Sequence, residues 1–330
     1  MIGCTSNSPA SADAPPHRHA VCSHADCVPF LLPFVLDAPP SLRYSTRMSK
    51  CWQLARECWA LPPGGAVMGI LNVTPDSFSD GGLHFGTEAA VAHALRMLDE
   101  GADIIDIGGE STRPGADAVL PQEEAARVLP VIEALRRERP TARLSVDTRH
   151  AAVARAALLA GADIVNDITG LASPDMRRVC AELPCGVILM HMQGEPKTMQ
   201  QNPHYIDVVA EVRDFFAARV QAAEQDGIDR RRICLDPGIG FGKNVQHNLL
   251  LIRHLEQTRV HDLPMLMALS RKRFMGAVLN DPQAPKVSPL PTVVMSLLAA
   301  DAGAELHRVH DVAPLVQALR LRQACLECVS

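Results

Sequence analysis

The chain has 330 residues, a formal net charge of −5, 47% hydrophobic residues and only 4% aromatic ones. That acidic balance argues against a surface built on nucleic-acid phosphates, and the scarcity of aromatics argues against stacked-base recognition. Ten cysteines in so long a chain do not make a disulfide scaffold, while the apolar fraction is enough to bury a large core.

Residues 1–47 are rich in Ala, Pro, Ser and His without helical or strand period, so they are expected to form a disordered extension, with Met48 as an alternative start. Within them His17, His19, Cys22, His24 and Cys27 match no standard zinc spacing. The apolar run over 28–36 is too short to span a bilayer and lacks the basic start of a secretory signal. Cys180, Cys185 and Cys234 sit singly in apolar runs and read as reduced core residues, which points to the cytoplasm and away from membranes. Residues 48–66 are a lead-in segment.

From Val67 onward eight strands are predicted, over 67–72, 103–108, 143–147, 164–167, 187–191, 233–236, 265–269 and 306–310. Their apolar runs are continuous rather than alternating, as in parallel strands covered on both faces. Amphipathic helices are predicted between them over 88–100, 122–139, 206–226 and 292–302, and a closing helix over 312–326 with Asp311 as its N-cap. Gly101, Gly161, Gly227 and Gly303 each stand between a helical stretch and the next apolar run, where a left-handed residue would end the helix. Eight such units without a Gly-x-Gly-x-x-Gly fingerprint favour a (β/α)8 TIM barrel over 67–330 above an open doubly wound sheet. In such a barrel the chemistry lies at the carboxyl ends of the strands, and the long segments 73–87, 109–121 and 270–291 fall on that face.

The strand ends carry the polar residues. Asn72 offers a neutral oxygen to a hard cation such as Mg²⁺. Arg113, beside Pro114, supplies a fork for a carboxylate or phosphate. Asp147, Asn166 and Asp236 form a row suited to a flat heterocycle with an amino-amidine edge, since a carboxylate accepts two N–H bonds from such an edge. Residues 237–243 are glycine-rich but lack a phosphate-loop helix entry, so they read as a wall with Phe241 as a packing face. Ser270-Arg271-Lys272 and Arg308-Val309-His310 place cations at adjacent strand ends in an acidic protein, which calls for an anionic partner; alternation puts Arg308 and His310 on one side, able to hold a diphosphate. Met190 and Met192 flank His191 and suit either a pocket floor or core packing. Cys325 and Cys328 read as one helical turn rather than a redox pair.

Several motifs in order resemble the dihydropteroate synthases, the folate-pathway branch of the pterin-binding barrel family. They are the run from Met68 through Asn72-Val73-Thr74-Pro75-Asp76-Ser77-Phe78 to Gly82, Gly108 to Pro114, Ser145-Val146-Asp147-Thr148, Asn166-Asp167-Ile168, Leu189 to Gly194, Asp236 to Lys243, Ser270-Arg271-Lys272, and Arg308 to Val312. The resemblance implies a transferase that joins 6-hydroxymethyl-7,8-dihydropterin diphosphate to 4-aminobenzoate with help from Mg²⁺, a sulfonamide target and a homodimer. It implies that Asp147, Asn166, Asp236, Lys272, Met190 and Arg271 hold the pterin. Asn72, Arg308, His310 and Thr112 would hold diphosphate, with Asn72 on the metal. Thr112, Arg113, Pro114, Phe241 and Ser270 would frame aminobenzoate, and Asp147, Lys272, Arg308 and His310 would carry the catalysis. Ala268, where relatives often have glycine, and Ser288-Pro289-Leu290-Pro291 depart from the pattern. A pterin-dependent methyltransferase and a non-catalytic pterin-binding protein are the rival readings.

Overall fold

A computed structural model describes residues 50–74, 82–110, 119–195 and 198–328. The predicted extension and Met48 lie outside these residues, as do Thr112, Arg113 and Pro114. A two-stranded antiparallel hairpin comes first, β1 (Cys51–Gln53) and β2 (Cys58–Ala60), with Trp52 opposite Trp59. Eight parallel strands follow: β3 (Ala66–Asn72), β4 (Ile104–Gly108), β5 (Arg143–Asp147), β6 (Ile164–Asp167), β7 (Gly186–Met190), β8 (Ile233–Asp236), β9 (Leu266–Met267) and β10 (Leu306–Val309). Their spatial order is β8-β7-β6-β5-β4-β3-β10-β9. The ring closes through a bridge between Leu235 and Met265, where the Leu235 amide donates to the Pro264 carbonyl at 2.8 Å. Every predicted strand is found, three to the residue and four more within one residue at each end; only the seventh shrinks, from 265–269 to two residues.

The helix-to-strand joints follow from local chemistry. Gly101, Gly161, Gly227 and Gly303 all have φ between +92° and +111°, a region costly for any residue with a Cβ. The predicted cap at Asp311 is a correction. Asp311 occupies the N-cap position of the helix Val312–Glu327, but its carboxylate makes no cap bond. Arg271 takes it instead, at 2.9 Å from the terminal nitrogen, because a charged fork outcompetes a single amide.

Two apolar clusters explain where the site must lie. The larger packs the outward faces of the strands against the surrounding helices. The smaller fills the amino-terminal half of the barrel interior with Ala66, Met68, Ile104, Ile164, Ile188, Cys234, Leu266 and Leu306, stoppered by Trp52, Leu54, Trp59 and Leu61 of the hairpin region. The stopper is fastened by the Trp52 indole donating to the Arg232 carbonyl at 2.8 Å, and by Arg56 and Arg136 converging on buried Asp163 at 2.6 and 2.8 Å. Arg143 lies 4.1 Å over the Trp59 ring. Cys51 and Cys58 are bonded across the hairpin with their Cα atoms 5.9 Å apart, whereas Cys180, Cys185 and Cys234 are free and buried, as their sequence context implies. Leu54 fills the space above Gly186 so closely that a Cβ there would stand 2.6 Å from its Cδ2 atom. Leu54→Ala is therefore expected to lower stability by about 2–3 kcal/mol, read from the midpoint of urea unfolding at unchanged slope.

Alternation along each strand carries this inner face upward. Above Ile104 come Asp106 and Gly108; above Ile164 comes Asn166; above Ile188, Met190; above Cys234, Asp236; and above Leu306, Arg308. The carboxyl half of the interior is thus polar where the amino half is sealed.

Candidate active site at the barrel mouth

Arg308 organises this polar half. Its Nε lies 2.5 Å from Oδ2 of Asp106, and a terminal nitrogen lies 2.6 Å from Oδ2 of Asp147. Asn166 donates its side-chain amide to the same Asp106 oxygen at 3.1 Å. Four residues from β4, β5, β6 and β10 therefore form one hydrogen-bonded network, with Asp106 fully buried at its centre. Burial pushes the Asp147 carboxyl up to about 7, partly offset by Arg308 and reinforced by Asp106. Burial also works against the Arg308 charge, but the two carboxylates outweigh it and raise the guanidinium.

A second group faces it. Asp236 accepts the Gly238 amide at 2.8 Å, and burial raises its carboxyl while Lys272 and Arg308 oppose that shift. Burial lowers the Lys272 ammonium to about 8, with Asp236 holding it up. The Lys272 ammonium lies 4.4 Å over the Phe241 ring, a cation–π contact that orients it. Asp147, Asn166, Asp236, Lys272, Phe241 and Arg308 are therefore gathered at one end of the barrel.

His310 and Ser270 form the third element. The Ser270 hydroxyl accepts the His310 backbone amide at 3.1 Å and sits 2.9 Å from its Nδ1. Asn72 ends β3 in register with Gly108, half-buried. Arg271 stands apart from the Asp147 group: it has φ +56° and its exposed guanidinium is forked on Asp311. Met190 is buried at the end of β7, on the inner face.

Two participants were not singled out from the sequence. Asp106 is one, although a carboxylate inside the run Ile104-Ile105-Asp106-Ile107, two residues before the strand's end, is a readable signal. Lys243 is the other. Its buried ammonium reaches Nδ1 of His191 at 2.9 Å and the carbonyls of Gly238 and Phe241 at 3.0 and 2.9 Å. Burial lowers it to about 7, and burial next to that ammonium lowers His191 to about 3, so the imidazole is neutral and accepts. With Tyr205 donating to the Gly242 carbonyl at 2.9 Å and Asn248 accepting the Gly240 amide at 2.8 Å, the glycine-rich segment is a fixed wall. A Cβ on Gly238 would meet the His191 carbonyl oxygen at 1.9 Å, so the two strand ends touch through backbone.

A parallel barrel whose mouth holds paired carboxylates, an amide, a lysine and an arginine is built for a small, polar, hydrogen-bonding ligand. Known proteins share this arrangement of sequence and fold. The signature of pterin binding enzymes matches residues 68–310, and the chain belongs to that family. It is 47% identical over 260 residues, 79% of its length and 91% of the relative's, to the dihydropteroate synthase of Escherichia coli K12. Among solved structures it resembles Xanthomonas albilineans dihydropteroate synthase with 4-aminobenzoic acid, at 50% identity and a TM-score of 0.75, covering 80% of this chain and 94% of that one. It also resembles the Burkholderia cenocepacia enzyme complexed with 7,8-dihydropteroate, at 44% identity and a TM-score of 0.76, covering 84% and 97%.

Proposed function

We infer that the protein condenses 6-hydroxymethyl-7,8-dihydropterin diphosphate with 4-aminobenzoate to give 7,8-dihydropteroate and diphosphate. The observation that carries this reading is the joint presence, in one barrel mouth, of the Arg308-bridged row Asp106–Asp147–Asn166 and the facing Asp236 and Lys272.

In this reading Asp147, Asn166 and Asp236 accept and donate along the pterin edge, Lys272 covers the ring from its place over Phe241, and Met190 lies beneath. Arg308 and His310, with Asn72 and Thr112, face the diphosphate; Thr112, Arg113, Pro114, Phe241 and Ser270 frame the aminobenzoate. Arg271 serves the pterin only indirectly, by fixing the backbone beside Lys272. Breaking the C–O bond builds negative charge on the diphosphate, which preorganised cations stabilise without reorganising. The electron-rich pterin delocalises the developing methylene cation, so the displacement is dissociative. A neutral aromatic amine is nucleophilic enough to trap it without a strong base. Sulfonamides, which the Yersinia pestis relative binds in its solved complex, would compete at the aminobenzoate position.

Mg²⁺ fits this mouth. Arg308 engages one oxygen each of the nearby carboxylates Asp106 and Asp147, and the neutral oxygen of Asn72 at the end of β3 would be the protein's donor. That suits an ion that keeps several waters and takes its remaining ligands from phosphate. When bound it would supply charge neutralisation to the leaving group.

Diphosphate release measured with and without 4-aminobenzoate tests the function. Release that requires the amine and yields dihydropteroate is expected; methyl transfer to a corrinoid, or binding without turnover, would overturn it. The pH dependence is fixed by the two charges that must be present. Asp147 loses its negative charge as pH falls below about 7, and Lys272 loses its positive charge as pH rises above about 8. kcat/KM is therefore expected to peak between these values and to fall toward about tenfold per pH unit on either side.

We also propose a homodimer. Leu290, Val294 and Leu298 recur every fourth residue on the helix Leu290–Asp301 and are 64%, 45% and 50% exposed, and Leu321 on the closing helix is 70% exposed. Such an apolar stripe is a natural self-association face. The free thiols of Cys180, Cys185 and Cys234 suit a cytoplasmic setting, whereas the Cys51–Cys58 bond of the hairpin suits an oxidising one. No helix among the described residues is long and apolar enough to cross a membrane.

A further inference from the structure

We propose that Glu110, Glu124 and His150 form a binding site for one divalent transition ion of the Zn²⁺ or Mn²⁺ class, beside the barrel mouth and separate from Asn72. Three elements bring the residues together. Glu110 follows the end of β4 by two residues, Glu124 lies in the first turn of the helix Pro121–Glu138, and His150 is the N-cap residue of the helix Ala151–Ala160. One ligand atom from each lies within 4.8 Å of the others.

The second observation is an unsatisfied buried carboxylate. Glu124 has no solvent exposure, and among the described residues neither of its side-chain oxygens meets a donor at full hydrogen-bond geometry, although the Thr148 hydroxyl lies near enough to favour its charge. Nε2 of His150 is likewise buried and has no hydrogen-bond partner among the described residues. A carboxylate out of water whose burial outweighs what compensates it is disfavoured and needs a cation or a proton. The neighbouring guanidinium does not meet this need. Arg149 is forked on Glu110 at 2.9 and 3.1 Å, and the Val119 amide donates to the same carboxylate at 3.3 Å. Two carboxylates against one guanidinium leave a negative charge on the Glu124 side.

The spacing fits an ion better than a direct bond. Nε2 of His150 lies 3.8 Å from Glu110 Oε2 and 3.9 Å from Glu124 Oε2, too far for hydrogen bonding. Donors each about 2.0–2.2 Å from a shared ion stand roughly 3–4 Å apart. Glu110 Oε2 accepts only one of Arg149's bonds, so it retains a lone pair for a metal, and the fork holds the ligand in place from outside. One imidazole with two carboxylates suits Zn²⁺ or Mn²⁺, whereas Mg²⁺ and Ca²⁺ prefer all-oxygen sets.

The test is equilibrium dialysis of the full chain, without substrate, against Zn²⁺ and separately Mn²⁺, comparing wild type with Glu124→Gln and His150→Ala. Because Cys325, Cys328 and the amino-terminal histidines and cysteines can also take up zinc, the readout is the difference between proteins. Each variant is expected to bind one equivalent fewer, with affinity at this site reduced by about 100-fold. Substituted Co²⁺ should lose a visible band of nitrogen–oxygen type, without thiolate charge transfer. Glu124→Gln is isosteric and removes a disfavoured charge, so it keeps the fold, which far-ultraviolet circular dichroism checks. Metal content in wild type equal to that in either variant would overturn the site.

Discussion

Asp147→Asn is expected to weaken binding of the pterin diphosphate by about 100- to 1,000-fold, as two charge-assisted hydrogen bonds worth roughly 1.5–3 kcal/mol each are lost or weakened. The substitution is nearly isosteric, so the effect reports chemistry rather than shape. A carboxylate presents acceptors on both oxygens to paired N–H donors; an asparagine presents one acceptor and turns an N–H toward an N–H. Arg308 keeps Asp106 as a partner in the variant, 2.5 Å from its Nε, so the fold around the site survives. Titration calorimetry without aminobenzoate isolates this step. Affinity equal to wild type would remove Asp147 from the pterin site.

Arg308→Met should do more. Removing the guanidinium leaves Asp106 and Asp147 buried without their bonded counter-charge, which costs about 3–5 kcal/mol of stability. It also removes a cation from the leaving group, lowering kcat by about 10³-fold. The two losses are separable. In the double variant Arg308→Met with Asp106→Asn, one orphan carboxylate is neutralised and its amide can still meet Asn166. Much of the stability should return while kcat stays low. If the double variant recovered turnover together with stability, Arg308 would act only as a structural counter-ion.

The barrel was legible because its signals are local and repeated. Continuous apolar strands and helix-ending glycines each report on their own neighbourhood, and eight copies leave few alternatives. The seventh strand was overextended because Ala268-Leu269 is as apolar as any strand, and nothing local says that pairing stops after Met267. The hairpin stopper was read only as a lead-in, since Trp52 and Trp59 owe their burial to a barrel floor made by distant residues. At the mouth, strand-end position was enough to single out Asp147, Asn166, Asp236, Lys272 and Arg308. Partnership was not legible. Arg308 looks from sequence like a free cation, and only the fold reveals that two carboxylates engage it. Arg271 looks equivalent to its neighbour Lys272, yet a left-handed backbone turns it outward to Asp311. The carboxylate of Asp106 was given no role because its place among isoleucines makes it look structural, which in part it is.

The closure between Leu235 and Met265 gives the ring one loosely sewn stave. Asp236 stands on one side of that join, and Lys272 follows the short strand on the other. A flat molecule gripped by both would act as a clasp across the least-stitched part of the wall. Occupancy would then raise resistance to heat and slow deuterium uptake there first, before the well-laced strands opposite register any change.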